Sequence, residues 1–381
     1  MQRNPFNFGD LALDATFTDR EDELAELKAD IRNGLNVVIF APRRYGKTSL
    51  VLRAAQELTS EGVLIAQVDL MQTATKEQLA AKLAASIYDH LAGPLLRARE
   101  RALQLFRGLR ITPVMTLDPG DGSVRFSFSA GHAPEDVDAT LERILELPAE
   151  LAAERKRPVA LVFDEFQEVL EIDPRLPALM RATFQAQQDV AHVYLGSKQT
   201  MMERLFNDDN EPFWRSAKQM ELGTIPRQPF EKFIRARFAS TGKSVTDEVV
   251  TEILDRTGGH PYATQELCYG LWEETDDESV AGADELERAL ERVLRSENAH
   301  FTRLWDTISR NQRLVLQALA QEPLRGVTSE EYRRRYGLPA PSSVQKALDR
   351  LIAEEVVIRE GPGSYRIAEP FLADWIRRSG T

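Results

Sequence analysis

Ala41-Pro42-Arg43-Arg44-Tyr45-Gly46-Lys47-Thr48 lies between an apolar run, Asn36 to Phe40 (NVVIF), and a helical stretch, Ser49 to Leu58. Strand, tight loop and then Gly-Lys-Thr at a helix start is the setting that a phosphate-binding loop requires. Backbone N–H groups of such a loop and of the helix N-terminus, here Ala41 through Ser49, point at phosphate oxygens and favour negative charge. Lys47 would set a point charge on the β- and γ-phosphates, and Thr48 would offer its hydroxyl to Mg²⁺. The pattern G-x-x-x-x-G-K-[ST] is met except at its first glycine, which is Ala41. Alanine is tolerated there if the backbone has negative φ.

The rest of the chain bounds the setting of this loop. Its 381 residues suggest two or three domains, and 43% hydrophobic content suffices for ordinary cores. A single cysteine, Cys268, allows no intrachain disulfide and fits a reducing cytoplasm. The N-terminus MQRNPFNFGD lacks the apolar core of a signal peptide, and the apolar runs are too short to span a bilayer. The expectation is a soluble cytoplasmic protein with no membrane partner. The net charge of −12 excludes a bulk nucleic-acid binder, yet from Phe301 onward 13 Lys+Arg face 10 Asp+Glu, a balance of +3.

Up to about residue 225, apolar strand-like runs alternate with helical patterns, which predicts a parallel α/β sheet. Its strands are expected at Asn36–Phe40, Val63–Asp69, Pro158–Asp164, His192–Gly196 and Met220–Leu222. A β-hairpin, Arg110–Leu117 and Ser123–Ser129 around Asp118-Pro119-Gly120-Asp121-Gly122, is read as an insertion at about 108–130. From Arg227 to about Leu294 the spacing is helical, with segments Phe230–Ser240, Asp247–Arg256, Tyr262–Glu274 and Ala283–Leu294. The last 80 residues or so read as a winged helix-turn-helix: helices Asn311–Gln321, Ser329–Tyr336 and Ser342–Glu355, a wing of Val356–Glu360 and Ser364–Ile367, and a closing helix Glu369–Arg378. The expected domains are therefore 1–225, a helical lid 226–298, and a winged helix 299–381.

A phosphate loop needs an acidic residue at the end of a neighbouring strand. Val159-Ala160-Leu161-Val162-Phe163-Asp164-Glu165 supplies it. Asp164 would hold Mg²⁺ through water, and Glu165 would polarise the attacking water as a general base. The next strand ends Leu195-Gly196-Ser197-Lys198, where Ser197 either faces the γ-phosphate or lytic water or caps the following helix. Arg215, in Pro212-Phe213-Trp214-Arg215, has two readings: a cation stabilising charge at the transferring phosphate, or a surface arginine. His260-Pro261, after Gly258-Gly259, could approach the phosphates from the lid or simply start a helix. Arg43, Arg44 and Tyr45 stand in the loop itself, and its arginines could touch phosphates or pair with the acidic body that precedes the basic C-terminal module. No guanine-specific Asn/Thr-Lys-x-Asp motif is visible, so ATP is expected over GTP.

Together these segments resemble the archaeal-type ATPases of the STAND branch of AAA-like P-loop NTPases. The resemblance rests on Asn4-Pro5-Phe6-Asn7-Phe8-Gly9, Phe17-Thr18-Asp19-Arg20-Glu21-Asp22-Glu23-Leu24, APRRYGKTSL, Asp69-Leu70-Met71, LVFDEFQE, Gly196-Ser197-Lys198-Gln199-Thr200-Met201-Met202, and Gly258-Gly259-His260-Pro261-Tyr262. It implies an α/β P-loop fold with strand order 5-1-4-3-2, a helical lid and a trailing winged helix. It also implies a slowly hydrolysing ATP/ADP switch, with the segments near Phe6 and Arg20 bordering the adenine. Arg215 would then be the arginine finger of a homo-oligomer.

The winged helix admits two readings. As a DNA reader it offers Ser342, Ser343, Gln345, Lys346 and Arg350 to bases or phosphates, and Arg333, Arg334, Arg335, Arg359 and Arg366 to phosphate. As a docking module it needs no such footprint, and Asp349, Glu354 and Glu355 leave the third helix at −1. Double-stranded DNA and an unidentified protein are the two partner classes. An origin-recognition-like initiator is the competing class, but the lid reads Gly-Gly-His-Pro where initiators carry an arginine. A nucleotide-binding scaffold with little turnover is the third.

Overall fold

A computed structural model describes residues 3–9, 20–91, 105–117, 124–322, 326–361 and 363–379. The Phe17-Thr18-Asp19 segment and the hairpin turn 118–122 lie outside them. The chain divides into two compact units. One comprises Arg20–Ala41 and Lys47–Leu222, and the other comprises Met1–Asp19, Pro42–Gly46 and Gly223–Thr381.

The first unit is an α/β sheet domain. Its elements are α1 (Glu21–Arg32), β1 (Val37–Phe40), α2 (Lys47–Ser60), β2 (Leu64–Asp69), α3 (Lys76–Ser86), β3 (Val114–Leu117), β4 (Val124–Ser127), α4 (Pro134–Arg155), β5 (Val159–Asp164), α5 (Val169–Ile172), α6 (Leu176–Phe184), β6 (Val190–Gly196), α7 (Gln199–Asn207) and β7 (Lys218–Glu221). The sheet runs β2-β5-β6-β1-β7, all parallel. Renumbered as five sheet strands, this is the expected 5-1-4-3-2. The three inner strands are buried throughout apart from the terminal Asp164, whereas β2 alternates and β7 is mostly exposed. That contrast follows from position: inner parallel strands are covered on both faces and read as unbroken apolar runs. The antiparallel β3–β4 hairpin falls where the alternation of Val124, Phe126 and Phe128 put it, with Phe126 buried against Tyr88 and Phe106.

The second unit is helical with a small wing. It contains α8 (Arg227–Ala239), β8 (Ser244–Val245), α9 (Asp247–Thr257), α10 (Pro261–Glu274), β9 (Val280–Ala281), α11 (Ala283–Thr307), α12 (Arg310–Gln321), α13 (Glu330–Tyr336), α14 (Pro341–Ala353), β10 (Val357–Gly361), β11 (Ser364–Ile367) and α15 (Pro370–Ser379). The expected helix Ala283–Leu294 continues to Thr307, because Phe301 and Trp305 prolong its buried stripe at helical spacing. One continuous core joins lid helices to winged helix, from Phe230 and Leu267 through Phe301 to Leu348 and Ile376. Phe6 belongs to that core, 2% exposed and packed on Phe233 and Phe238.

Candidate nucleotide site

Parallel pairing gathers the C-terminal ends of the inner strands at one edge of the sheet. Phe40 stands opposite Gly196 and Asp69 opposite Asp164. The order of the strands reverses beside β1, which makes this edge the crevice where such sheets take ligands. Ala41 follows β1 buried and is not among the residues at positive φ, so alanine replaces the usual first glycine without strain. Lys47 opens α2, and its Nζ donates to the Ala41 carbonyl at 2.6 Å. Ser49, in the same first turn of α2, is buried as well. The Thr48 hydroxyl donates to Asp164 Oδ2 at 3.1 Å.

Asp164 is held above the usual carboxylate range. Burial is the main cause and the charges of Glu165 and Asp69 add to it, while bonds from Thr48 and from the Glu165 backbone N–H oppose it. A desolvated carboxylate beside a hydroxyl, with further carboxylates near, gains from a divalent cation. The donor set fits Mg²⁺, which takes one or two protein oxygens and completes its shell with water and phosphate. Thr48 and Asp164 would hold it.

Glu165 takes a left-handed backbone, φ 52 and ψ 47, and starts the short 3₁₀ turn Phe166–Glu168. Ser197 Oγ donates to Glu165 Oε2 at 2.8 Å, and Gln167 Nε2 donates to the same oxygen at 2.5 Å. Ser197 does not cap α7, since Lys198 is the residue at its N-cap. Arg215 is exposed, at φ 48, with its guanidinium 5.1 Å from the Trp214 ring centre.

The tip of the phosphate loop belongs to the second unit. Gly46 has φ +87, a conformation that glycine supplies without a Cβ penalty. Arg44 Nη1 lies 3.3 Å from Glu369 Oε1, and its guanidinium sits 4.3 Å over the Tyr262 ring. Arg43 Nε lies 3.3 Å from Glu355 Oε2. The Tyr45 hydroxyl accepts from Arg366 at 3.2 Å, and its ring meets His260 edge-on at 4.7 Å. The loop arginines pair with acids of the winged-helix region, not with the acidic body that the sequence pointed to, because the fold brings Glu355 and Glu369 to the loop tip. His260 caps α10 by accepting from the Ala263 N–H, with Pro261 as the first helical residue. Burial, then Arg366 and Arg44, lower its pKa to about 3, so it is neutral.

Several winged-helix arginines are occupied locally. Arg333 binds the Thr328 and Pro339 carbonyls, Arg335 pairs with Glu322, Arg350 with Glu354, and Arg366 with Glu360. Arg334, Lys346 and Arg359 are exposed. Reading the sequence missed Gln167, Glu266 and Glu369. Nothing in the spacing distinguishes them from solvated residues, because each gains its partners through tertiary contacts.

A parallel sheet of this order, with Gly-Lys-Thr entering the helix after its first strand and Asp-Glu closing a neighbouring strand, defines a P-loop ATPase fold; a winged helix completes the chain. Residues 17–267 match the family described as an ATPase domain predominantly from Archaea, and residues 299–378 match a probable winged helix domain. The chain belongs to that ATPase family. The fold is similar to the Walker-type ATPase of Pyrococcus abyssi (18% identity, TM-score 0.68, 98% of this chain and 99% of that one). It is also similar to the Aeropyrum pernix ORC2 protein (15% identity, TM-score 0.57, 99% and 98%). A curated relative, an uncharacterized WD repeat-containing protein of Synechocystis, is 22% identical over 99% of this chain, which spans only 31% of that protein. Among the described residues, no helix is long and apolar enough to cross a membrane.

Proposed function

We propose that this chain is an ATP-binding, Mg²⁺-dependent ATP-hydrolysing switch of the STAND type, whose lid and winged helix respond to the nucleotide state. In this reading Lys47 binds the β- and γ-phosphates, and the loop and Ser49 N–H groups cradle them. Bound Mg²⁺ neutralises phosphate charge. Glu165 takes the proton of the attacking water, Ser197 orients Glu165, and Arg215 reaches the site of a second copy to stabilise the developing charge. Turnover is slow, as suits a switch, and the protein acts in the cytoplasm.

The observation that carries the switch is the set of bonds at the loop tip. Arg43, Arg44 and Tyr45 bind Glu355, Glu369 and Arg366, which belong to the winged-helix region. A loop whose cations are already paired there has to exchange partners if they turn to phosphate. Nucleotide then binds two arrangements unequally, which is the condition for shifting between them. The local pairing of Arg335, Arg350 and Arg366 favours a docking role for the winged helix over a DNA-reading one.

The test is ATP turnover by the full chain with Mg²⁺, beside Lys47→Ala and Glu165→Gln, with and without duplex DNA. Loss of turnover in both variants is expected, with no stimulation by DNA. Turnover untouched by Glu165→Gln would sink the assignment of the base. Salt-dependent stimulation by duplex would favour the initiator-like reading.

A further inference from the structure

Gln167 is fully buried, yet its carboxamide oxygen has no hydrogen-bond donor among the described residues. A buried unmet acceptor is costly, and native proteins keep few of them. Its amide nitrogen is engaged, since Nε2 donates to Glu165 Oε2 at 2.5 Å. The reverse orientation of the carboxamide would turn its oxygen onto the carboxylate, so the charge of Glu165 fixes which way it points. The turn beneath is anchored in the core: Phe166 packs tilted or edge-on against Tyr194, Phe206 and Phe213 with ring centres 4.6, 5.9 and 5.2 Å away. Space for the carboxamide comes from Gly196, where an added Cβ would lie 2.7 Å from the Gln167 oxygen and 2.3 Å from Met202 Cγ.

We infer that Gln167 is a positioning residue for hydrolysis, which together with Ser197 locks one oxygen of Glu165 so that the other faces the attacking water. This rests on the reading of Glu165 as the base. Both donors converge on Oε2, and among the described residues no donor reaches Oε1. Two hydrogen bonds to one oxygen stop rotation of the carboxylate, and the left-handed backbone of Glu165 fixes where the side chain starts. The proton of water passes to Oε1 as the water oxygen bonds to the γ-phosphorus, and the bond from that phosphorus to the departing ADP oxygen breaks. Gln167 touches no reacting atom and acts only through Glu165.

The experiment compares Gln167→Met, which keeps volume but removes the donor, in the wild-type and Glu165→Gln backgrounds. It measures kcat and KM for Mg-ATP, the Kd of a non-hydrolysable ATP analogue, and the melting temperature. In the wild-type background kcat should fall about 10- to 150-fold, the value of one hydrogen bond to a charged group, with KM and Kd unchanged. In the Glu165→Gln background, single-turnover rates should not fall further. An unchanged or raised kcat, or the same fall in both backgrounds, would overturn the inference while leaving the base in place. Full turnover by Glu165→Gln alone would remove the base reading, and the role of Gln167 with it.

Discussion

Glu266 offers a sharp test of how the second unit is built. It lies on α10, 3% exposed, in a pocket with Tyr262, Glu297, Phe301, Glu369 and Phe371. Burial raises its pKa from 4.5 to about 8, the Glu297 charge on α11 and the Glu369 charge before α15 add to this, and Arg44 of the loop tip opposes it. His260, neutral as described, lines the same pocket, and His300 lies 3.9 Å from Glu369. The folded unit keeps the proton up to about pH 8, whereas the unfolded chain releases it near 4.5. Between those values the fold binds more protons than the unfolded chain, so stability falls as pH rises. The contribution is whole below 4.5 and gone above about 8. At about 1.4 kcal/mol per tenfold, the gap is worth on the order of 5 kcal/mol. Glu266→Gln keeps the neutral shape and removes the dependence. It should match wild type near pH 4.5 and melt about 10–20 °C higher at pH 8.5. The assay is fluorescence-monitored unfolding, because Trp272, Trp305 and Trp375 of the four tryptophans lie in this unit. Parallel pH profiles for the two proteins would refute the reasoning, since they would mean that Glu266 is ionised in the fold.

Three other substitutions probe the phosphate loop and its supports. Gly46→Ala forces a Cβ into φ +87 and should cost about 1–2 kcal/mol, with nucleotide affinity down about tenfold in titrations with a fluorescent analogue. Glu355→Gln with Glu369→Gln releases two partly exposed pairs of about 0.2–1 kcal/mol each, so nucleotide should bind about two- to tenfold more tightly; weaker binding would mean that the arginines need not leave. Gly196→Ala should destabilise the sheet unit by about 1–3 kcal/mol in denaturant titrations through overlap with Met202 and Gln167, and adding Met202→Ala should recover part of the stability.

Much of this architecture was legible because it is written in periodicity. Inner parallel strands are covered on both faces, so Val37–Phe40 and Val159–Phe163 stand out as unbroken apolar runs, while the buried His192 interrupts Val190–Gly196, whose expected strand began only there. The wing and its helices announce themselves through turn residues and amphipathic spacing. The end of α11 was not legible, because Ser296-Glu297-Asn298-Ala299-His300 interrupts the apolar stripe before Phe301 and Trp305 resume it. Phe6 was hidden for a different reason: nothing in the local spacing marks an aromatic near the N-terminus as core, and only packing puts its ring among the lid helices.

The site divides along the same line. Lys47, Thr48, Asp164 and Glu165 could be named from sequence because strand ends and a helix start fix where they stand, and the Thr48–Asp164 bond lies where that logic puts it. What holds Glu165 could not be named, since a glutamine two residues along a 3₁₀ turn reads like any solvated polar residue until Phe166 anchors the turn. The loop arginines were ambiguous for a related reason. Their charge suits phosphate and carboxylate alike, and only the fold brings Glu355 and Glu369 to them. Local pattern therefore marks the residues proposed to meet nucleotide, whereas the groups that orient Glu165 and pair the loop arginines are specified by packing. Sequence reading reaches the chemistry of such a site sooner than its control.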